Sequence, residues 1–378
     1  MEFSRDRKVE RMKGHSFIYV STYEGSDGSG IYCTALDRLN GEVGSFLKVA
    51  DLDKAALMVL HPENNVLYVV GIDGESQDGA GCIAAYSING ATGTLRLLEK
   101  TKTGAGLPTF ITPSTDGRFL LQASFSTAAA SVLTIREDGS LATSGKVHRF
   151  EGRSINPVRQ TKSHPHCISI HPIDNSIFLT DLGTDKISRF RLDERHGELI
   201  PYGDAQYAIE LGAGPRIMRF SQDGRHLYMI NELHNTIFSY RYHGGDKPLE
   251  PLQIVSTLPD SLSSSFETQM AGELRLHPNQ RYVYATNRST GSGRYNGITV
   301  FQRNRLTGLL TPIQYEPTAK HPRHFNMDQT GNWLFVSARD GNQLQRFRID
   351  ADTGLLQPVG EPIVFKQPWD VQFYSVKE

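Results

Sequence analysis

Residues 221–231 read SQDGRHLYMIN: a polar turn, then a short apolar run with a tyrosine, Tyr228, seven positions after the start. The phrase recurs as HPENNVLYVV from His61, STDGRFLLQAS from Ser114, HPIDNSIFLTD from His171, HPNQRYVYATN from His277 and DQTGNWLFVSA from Asp328. Seven positions on, each copy carries an aromatic or a leucine: Tyr68, Leu121, Phe178, Tyr284 and Phe335. Tyr19 in FIYVST extends the series backwards, and successive anchors are 49, 53, 57, 50, 56 and 51 residues apart. A unit of about 50 residues is the length of one four-stranded propeller blade.

The stretches between anchors support strands. SGIYCTALD, CIAAYSIN, SVLTIRED, KISRFRLD, TIFSYRYH, GITVFQRN and LQRFRIDA alternate apolar and polar residues, as half-buried strands do. Turns such as RLNGEV, INGATGTL, REDGSL, RNRLTGLL and DADTGLL follow several of them, with Asn, Asp and Gly to tolerate positive φ. No stretch sustains a convincing helical period. The chain therefore reads as all-β, a seven-bladed β-propeller of four-stranded antiparallel blades. QPWDVQFYSV at the C-terminal end resembles the strand before each polar turn, as in GPRIMRF and HPRHFNM, whereas SFIYVST resembles the strand after it. One blade then takes its innermost strand from the C-terminus and its next strands from the N-terminus, which closes the ring and removes two free edges. Residues 15–378 form this single domain, and residues 1–14 are expected to be a flexible lead.

Composition agrees and excludes other classes. The 378 residues exceed the usual single-domain length of about 100–200, but seven repeats account for them without a second domain. With 40 basic against 41 acidic residues, no global field draws the chain to nucleic acid or to a membrane surface. Three cysteines (Cys33, Cys82, Cys167) are too few and scattered for a disulfide framework or a CxxC metal site. MEFSRDRKVERMKGH has charge but no apolar core of a secretory signal, and no run is long enough to span a membrane. The expectation is a cytoplasmic protein with reduced thiols, a monomer or weak homo-oligomer, without nucleic-acid or membrane partners.

In a propeller the innermost strand lines the channel and the second runs back beside it. The start of the first and the end of the second therefore emerge on one rim. There the blades carry Ala56, Thr109, His166, Arg216, Gly272, Arg323 and Trp369, and Tyr23, Ile72, Phe125, Leu182, Glu232, Arg288 and Arg339. Residues kept for packing alone would be alike, and these are not. The constellation selected is His166, Arg216, Glu232 and Arg323, with Lys162, His164, Glu273, Arg275 and His324 near in sequence; Arg219 and Arg275, two before their turns, are expected to face the channel. Converging guanidiniums suit a phosphate or carboxylate, and a His or Glu beside them can serve as general base. The plain alternatives are a structural Arg216–Glu232 ion pair and a hydrogen-bonded structural His166. His164/His166 and His321/His324 have metal-ligand spacings, but a Pro separates each pair and arginines crowd them. Asp181, Asn231, Asn287 and Glu232 could offer oxygens to a central Ca²⁺. Neither metal reading is favoured, and no metal or cofactor is expected. No GxSxG, Walker A or dinucleotide fingerprint is present. Cys167 lacks a partner that would make it a nucleophile, and SLSSSFET (261–268) and STGSGRYNG (289–297) read as surface loops.

SHPHCISIHPIDNSIFLTDLGTDKISRF, GAGPRIMRFSQDGRHLYMINELHNTIFSY, GELRLHPNQRYVYATNR and HPRHFNMDQTGNWLFVSARDGNQLQRFRID resemble the lactonase-type seven-bladed propellers, and YVSTYEGSDGSGIYCTALDRLNGEV resembles that family's start. The family contains bacterial 6-phosphogluconolactonases and the fungal 3-carboxymuconate cyclase. The resemblance implies functional roles for His166 in HPH, Arg216 in GPR, Glu232 in NEL and Arg275 in ELR. VVGIDGE and ASFS in the first two complete blades depart from the family's Asn-Glu and Asn-Tyr pairs, and KAALMV lacks the usual Pro.

The expected activity is lactone hydrolysis resembling that of 6-phosphogluconolactonase, without a cofactor, on a small anionic lactone or carboxylate. His166 or Glu232 would activate water, Arg216 or Arg275 would stabilise the oxyanion, and Arg323, Lys162 or the remaining arginine would hold the substrate's anionic group, with His164 and His324 as further contacts. The alternatives are cyclisation of a muconate-type dicarboxylate on the same arginines, and a non-catalytic propeller that binds a partner on its rim.

Overall fold

The computed structural model describes residues 16–24, 29–73, 81–142, 146–262, 269–289 and 295–375, those at 204 and 205 without their side chains. The expected lead at 1–14, and the expected loops over 263–268 and 290–294, lie outside the described residues.

Seven antiparallel sheets follow one another along the chain. Blade 4 is typical, with strands Pro215–Phe220, His226–Asn231, Thr236–Arg241 and Glu250–Ser256 in order from channel to outer edge. The other innermost strands are Met58–Leu60 in blade 1, Phe110–Pro113 in blade 2, Pro165–Ile170 in blade 3, Gln269–Leu276 in blade 5, Pro322–Met327 in blade 6 and Pro368–Ser375 in blade 7. Blade 7 closes the ring as expected: Pro368–Ser375 pairs with Ser16–Thr22 in a sheet whose remaining strands come from the N-terminal end. In blades 2 and 6 the outermost strand is broken into two short pieces on the same neighbour.

The repeat holds the blades together. All seven anchors are fully buried. Where the anchor is tyrosine, its hydroxyl donates to the carbonyl of a hairpin glycine in the next blade: Tyr19 to Gly93 at 2.8 Å, Tyr68 to Gly139 at 2.9 Å, Tyr228 to Gly308 at 2.9 Å and Tyr284 to Gly354 at 2.8 Å. A second bond runs from the histidine that opens the turns of blades 1, 3 and 5. Nε2 of His61, His171 and His277 lies 2.9, 3.0 and 2.8 Å from the carbonyl oxygens of Gly117, Gly224 and Gly331 in the blades that follow. Their Nδ1 atoms accept backbone N–H groups of their own turns, which places the proton on Nε2. The alternation of His-type and Ser/Asp-type turns along the sequence is thus a pairing of adjacent blades.

The innermost strands of blades 3 to 7 share one irregularity that positions the site. In blade 3, Pro165 is opposite Asp181 and Cys167 is opposite Thr180, so His166 is an extra residue. Arg216, Arg323 and Trp369 are extra in the same way, and in blade 5 Gly272 and Glu273 together face the space of one residue. Such bulges break strict alternation and re-aim a side chain. In blades 3, 4, 6 and 7 one residue is thereby turned out of the sheet's face toward the channel mouth.

Gly224 has φ +69°, and a Cβ there would meet His171 Nε2 at 2.4 Å. Gly224→Ala is expected to cost about 2 kcal/mol or more, since left-handed backbone alone costs about 1–2 kcal/mol for a residue with a Cβ. Tyr284→Phe, which removes one interblade bond, is expected to cost about 1 kcal/mol. Urea unfolding checks both; midpoints equal to wild type would show that these bonds do not hold the ring.

Candidate active site

The mouth is built around one carboxylate. Glu232 follows the second strand of blade 4 and is 1% exposed. Its Oε2 accepts Arg216 Nε at 3.1 Å and Arg288 Nη2 at 2.8 Å, and its Oε1 pairs with Arg159 Nη2. Arg216 also donates from Nη1 to Gly272 O at 2.7 Å, which ties it to the bulge of blade 5. Burial opposes ionisation of Glu232, but the guanidiniums, Arg288 foremost, outweigh it and hold the carboxyl well below the usual range.

Local chain geometry explains how these groups meet. Asp185 accepts Gly212 N at 2.6 Å and Gly214 N at 2.7 Å, fixing the GAG turn before Arg216. The same carboxylate accepts Gln160 Nε2 at 2.8 Å and Ser154 Oγ at 2.5 Å, which anchors the segment carrying Arg159. Arg323 lies over Trp369 at 4.4 Å, and Tyr23 stacks on the same ring at 4.3 Å. Phe125 stacks on His164 at 3.9 Å and meets His166 edge-on at 6.0 Å.

His166 is 5% exposed, and its Nδ1 is buried without a hydrogen-bond partner. Burial, then the charges of Arg216, Arg323 and Arg288, push it well below the ordinary histidine value of 6.5, so it is neutral near pH 7. Arg159 Nε, Arg288 Nη1 and Arg323 Nε are likewise buried and unpartnered. Arg323 is itself pushed down by burial and by Arg288 and Arg216. Unpaired buried donors are rare and call for a ligand or water.

Of the expected residues, His166, Arg216, Glu232 and Arg323 come together. Arg275 and His324 do not join them; both contact a second buried carboxylate, Glu273. Lys162 is exposed and donates to Ser126 O at 2.7 Å. His164 Nδ1 donates to Phe125 O at 2.9 Å, so it supports the wall beside His166. Of the four oxygen residues considered for Ca²⁺, Asp181 accepts Ser163 Oγ and His164 N and Glu232 holds its arginines, while Asn231 donates from Nδ2 to Thr236 and Asn287 from Nδ2 to Asn235 and Thr257, each keeping a buried Oδ1 without a partner. Among the described residues no group of three or more His, Cys, Asp or Glu is placed to hold a metal.

Three participants were not selected from sequence. Arg288 stood among the rim positions, and its charge beside Glu232 was the available signal. Arg159 lies in an irregular connection outside the repeat register, where no periodicity points to it. His321, considered only as a metal ligand, has Nδ1 3.0 Å from Asp340 Oδ2 and a buried Nε2 without a partner; burial and Arg288 push it down to about 3.

Fold and mouth together define a propeller with a buried, arginine-rich cluster that suits an anionic substrate and holds a neutral histidine. The chain belongs to the lactonase family of seven-bladed β-propellers, whose sequence model matches residues 17–373. It is 28% identical over 352 residues to the 6-phosphogluconolactonase of Formosa agariphila, covering 92% of this chain and 96% of the relative. The 6-phosphogluconolactonase of Bacillus subtilis is 27% identical over 94% of this chain and 97% of its own. Among solved structures, the periplasmic gluconolactonase of Pseudomonas aeruginosa superposes with a TM-score of 0.86 at 27% identity, over 96% of this chain and 100% of that one.

Glu232→Gln leaves three guanidiniums facing a neutral group. Breaking one side of a buried ion cluster costs about 3–5 kcal/mol, and unfolding should show a loss of that order. The stabilisation from the depressed Glu232 carboxyl is complete above its ordinary value of 4.5 and drains away as pH falls below it. The deficit of Glu232→Gln relative to wild type should therefore shrink in acid; a deficit that grew would contradict the ion cluster.

Proposed function

We propose that this chain hydrolyses a phosphorylated sugar lactone, the substrate class for which its Formosa and Bacillus relatives are named. The observation that carries the reading is a set of buried, unpartnered polar atoms at one mouth, which besides His321 Nε2 holds His166 Nδ1, Arg159 Nε, Arg288 Nη1 and Arg323 Nε. The three arginine nitrogens are donors fit for an anion, and His166 is a neutral imidazole fit to take a proton.

Lactone hydrolysis adds water to the ring carbonyl through a tetrahedral oxyanion. His166 takes a proton from water as the water oxygen bonds to the carbonyl carbon. The bond from that carbon to the ring oxygen then breaks, and the proton on His166 passes to the departing oxygen. Glu232, held far below neutral pH by its arginines, is a poor base; it fixes the guanidiniums in place. Arg216 has Nε and Nη1 engaged by Glu232 and Gly272, so Arg288, with Nη1 uncommitted, is the donor for the oxyanion. Arg323, braced on Trp369, takes the phosphate.

Three outcomes are expected. His166→Gln lowers kcat by about 10²–10⁴-fold, the usual contribution of a positioned base. Arg323→Met raises KM for 6-phosphogluconolactone by about tenfold or more, the worth of a charge-assisted hydrogen bond, and leaves KM for unphosphorylated gluconolactone little changed. Because arginine charge depresses His166, a bound dianionic phosphate offsets that field and raises the histidine. The acid limb of kcat should then lie at higher pH than that of kcat/KM. Full turnover by His166→Gln, or coincident limbs, would overturn these assignments.

A further inference from the structure

The channel holds a second polar cluster beyond the first. Glu273 is fully buried and accepts Arg219 Nη2 at 2.8 Å and His324 Nδ1 at 3.0 Å, while Arg275 Nε stands 3.8 Å away. Arg219 also donates from Nη1 to Met218 O at 3.1 Å, and its guanidinium lies over Phe110 at 5.3 Å. Arg275 is engaged only on one side: Nε donates to Phe325 O at 2.8 Å, and neither Nη group has a hydrogen-bond partner among the described residues.

Both arginines line a cavity of about 430 Å³, together with Met58, Phe110, Ser169 and Gln372. The cavity also touches Thr115, Pro172 and Gln222, which belong to the turns joining first and second strands. It therefore opens at the channel mouth opposite His166. Its size falls within the range of about 300–1,000 Å³ typical of small-molecule sites. Glu273 is already shared between Arg219 and His324. Asp370 spends its oxygens on the N–H groups of Met58 and Val371, at 2.8 Å each, and burial pushes it toward its neutral form, so it offsets the guanidiniums only in part.

We infer that this opposite mouth is a second anion-binding site, which takes a small molecule bearing a phosphate or carboxylate. Its oxygens are received by the two Nη groups of Arg275 in the fork geometry that guanidinium offers, with Arg219 beside them. Its carbon portion lies against Met58 and Phe110. This site is independent of the lactone-hydrolysing mouth and of the reading given to it.

Calorimetric titration of the full chain with inorganic phosphate, and separately with acetate, tests the inference. Besides binding at the His166 mouth, wild type should show a second event that Arg275→Met weakens about tenfold or more and that persists within about twofold in Arg323→Met, where the first event is the one weakened. Binding of phosphate alone or acetate alone would support the site and name its preferred group. Titrations of Arg275→Met that match wild type with both anions, or loss of all binding in Arg323→Met, would overturn it. Because Arg275→Met removes a neighbour of a buried carboxylate, wild-type crystals soaked in tungstate give a second measurement that needs no variant. Density beside the Arg275 Nη groups is expected, and its absence there would overturn the inference.

Discussion

The hydrogen bond from each anchor tyrosine to a hairpin glycine of the next blade sets the frame for everything else. Twisted sheets pack face to face at angles that vary with their side chains, and a ring closes only if those angles are alike all round. A hydroxyl that must find a carbonyl in the neighbouring blade, four times over, fixes the spacing. The histidine-to-glycine bonds between blades 1 and 2, 3 and 4, and 5 and 6 repeat the constraint nearer the channel. With the innermost strands so held, the bulge in those of blades 3, 4, 6 and 7 becomes a pointing device. It delivers His166, Arg216, Arg323 and Trp369 to one mouth from four different blades.

That mouth trades stability for a poised charge distribution. Three guanidiniums, from Arg159, Arg216 and Arg288, surround one carboxylate, Arg323 stands on Trp369 at the same mouth, and buried donors remain without partners. Such an arrangement costs free energy in the empty protein and recovers it when an anion enters. Burial, reinforced by the same excess positive charge, keeps His166 unprotonated, which is the state a base requires. Binding and chemistry thus draw on one electrostatic feature.

Much of this was legible in the residues. Turn chemistry and the anchor period revealed seven blades, and the likeness of QPWDVQFYSV to other innermost strands revealed how the ring closes. His166, Arg216, Glu232 and Arg323 were reachable because rim positions recur in register. Arg275 was misplaced for a physical reason. It lies three residues beyond Gly272, and at about 3.3 Å per residue that is about 10 Å further down the channel. Arg288 returns to the rim on the neighbouring strand and takes the place at Glu232. Arg159 was invisible because its loop obeys no repeat; only the Asp185 hydrogen bonds bring it in. The interblade bonds were hidden as well, since a tyrosine anchor reads the same whether its hydroxyl is bonded or merely buried.

The measurement that bears most directly on this account is a crystal structure of the chain with 6-phosphogluconate, the product of the proposed reaction. The account predicts the product's carboxylate between His166 and Arg288, and its phosphate against Arg323 where that side chain lies on Trp369. Product absent from this mouth at saturating concentration, or bound with its carboxylate away from His166, would contradict it.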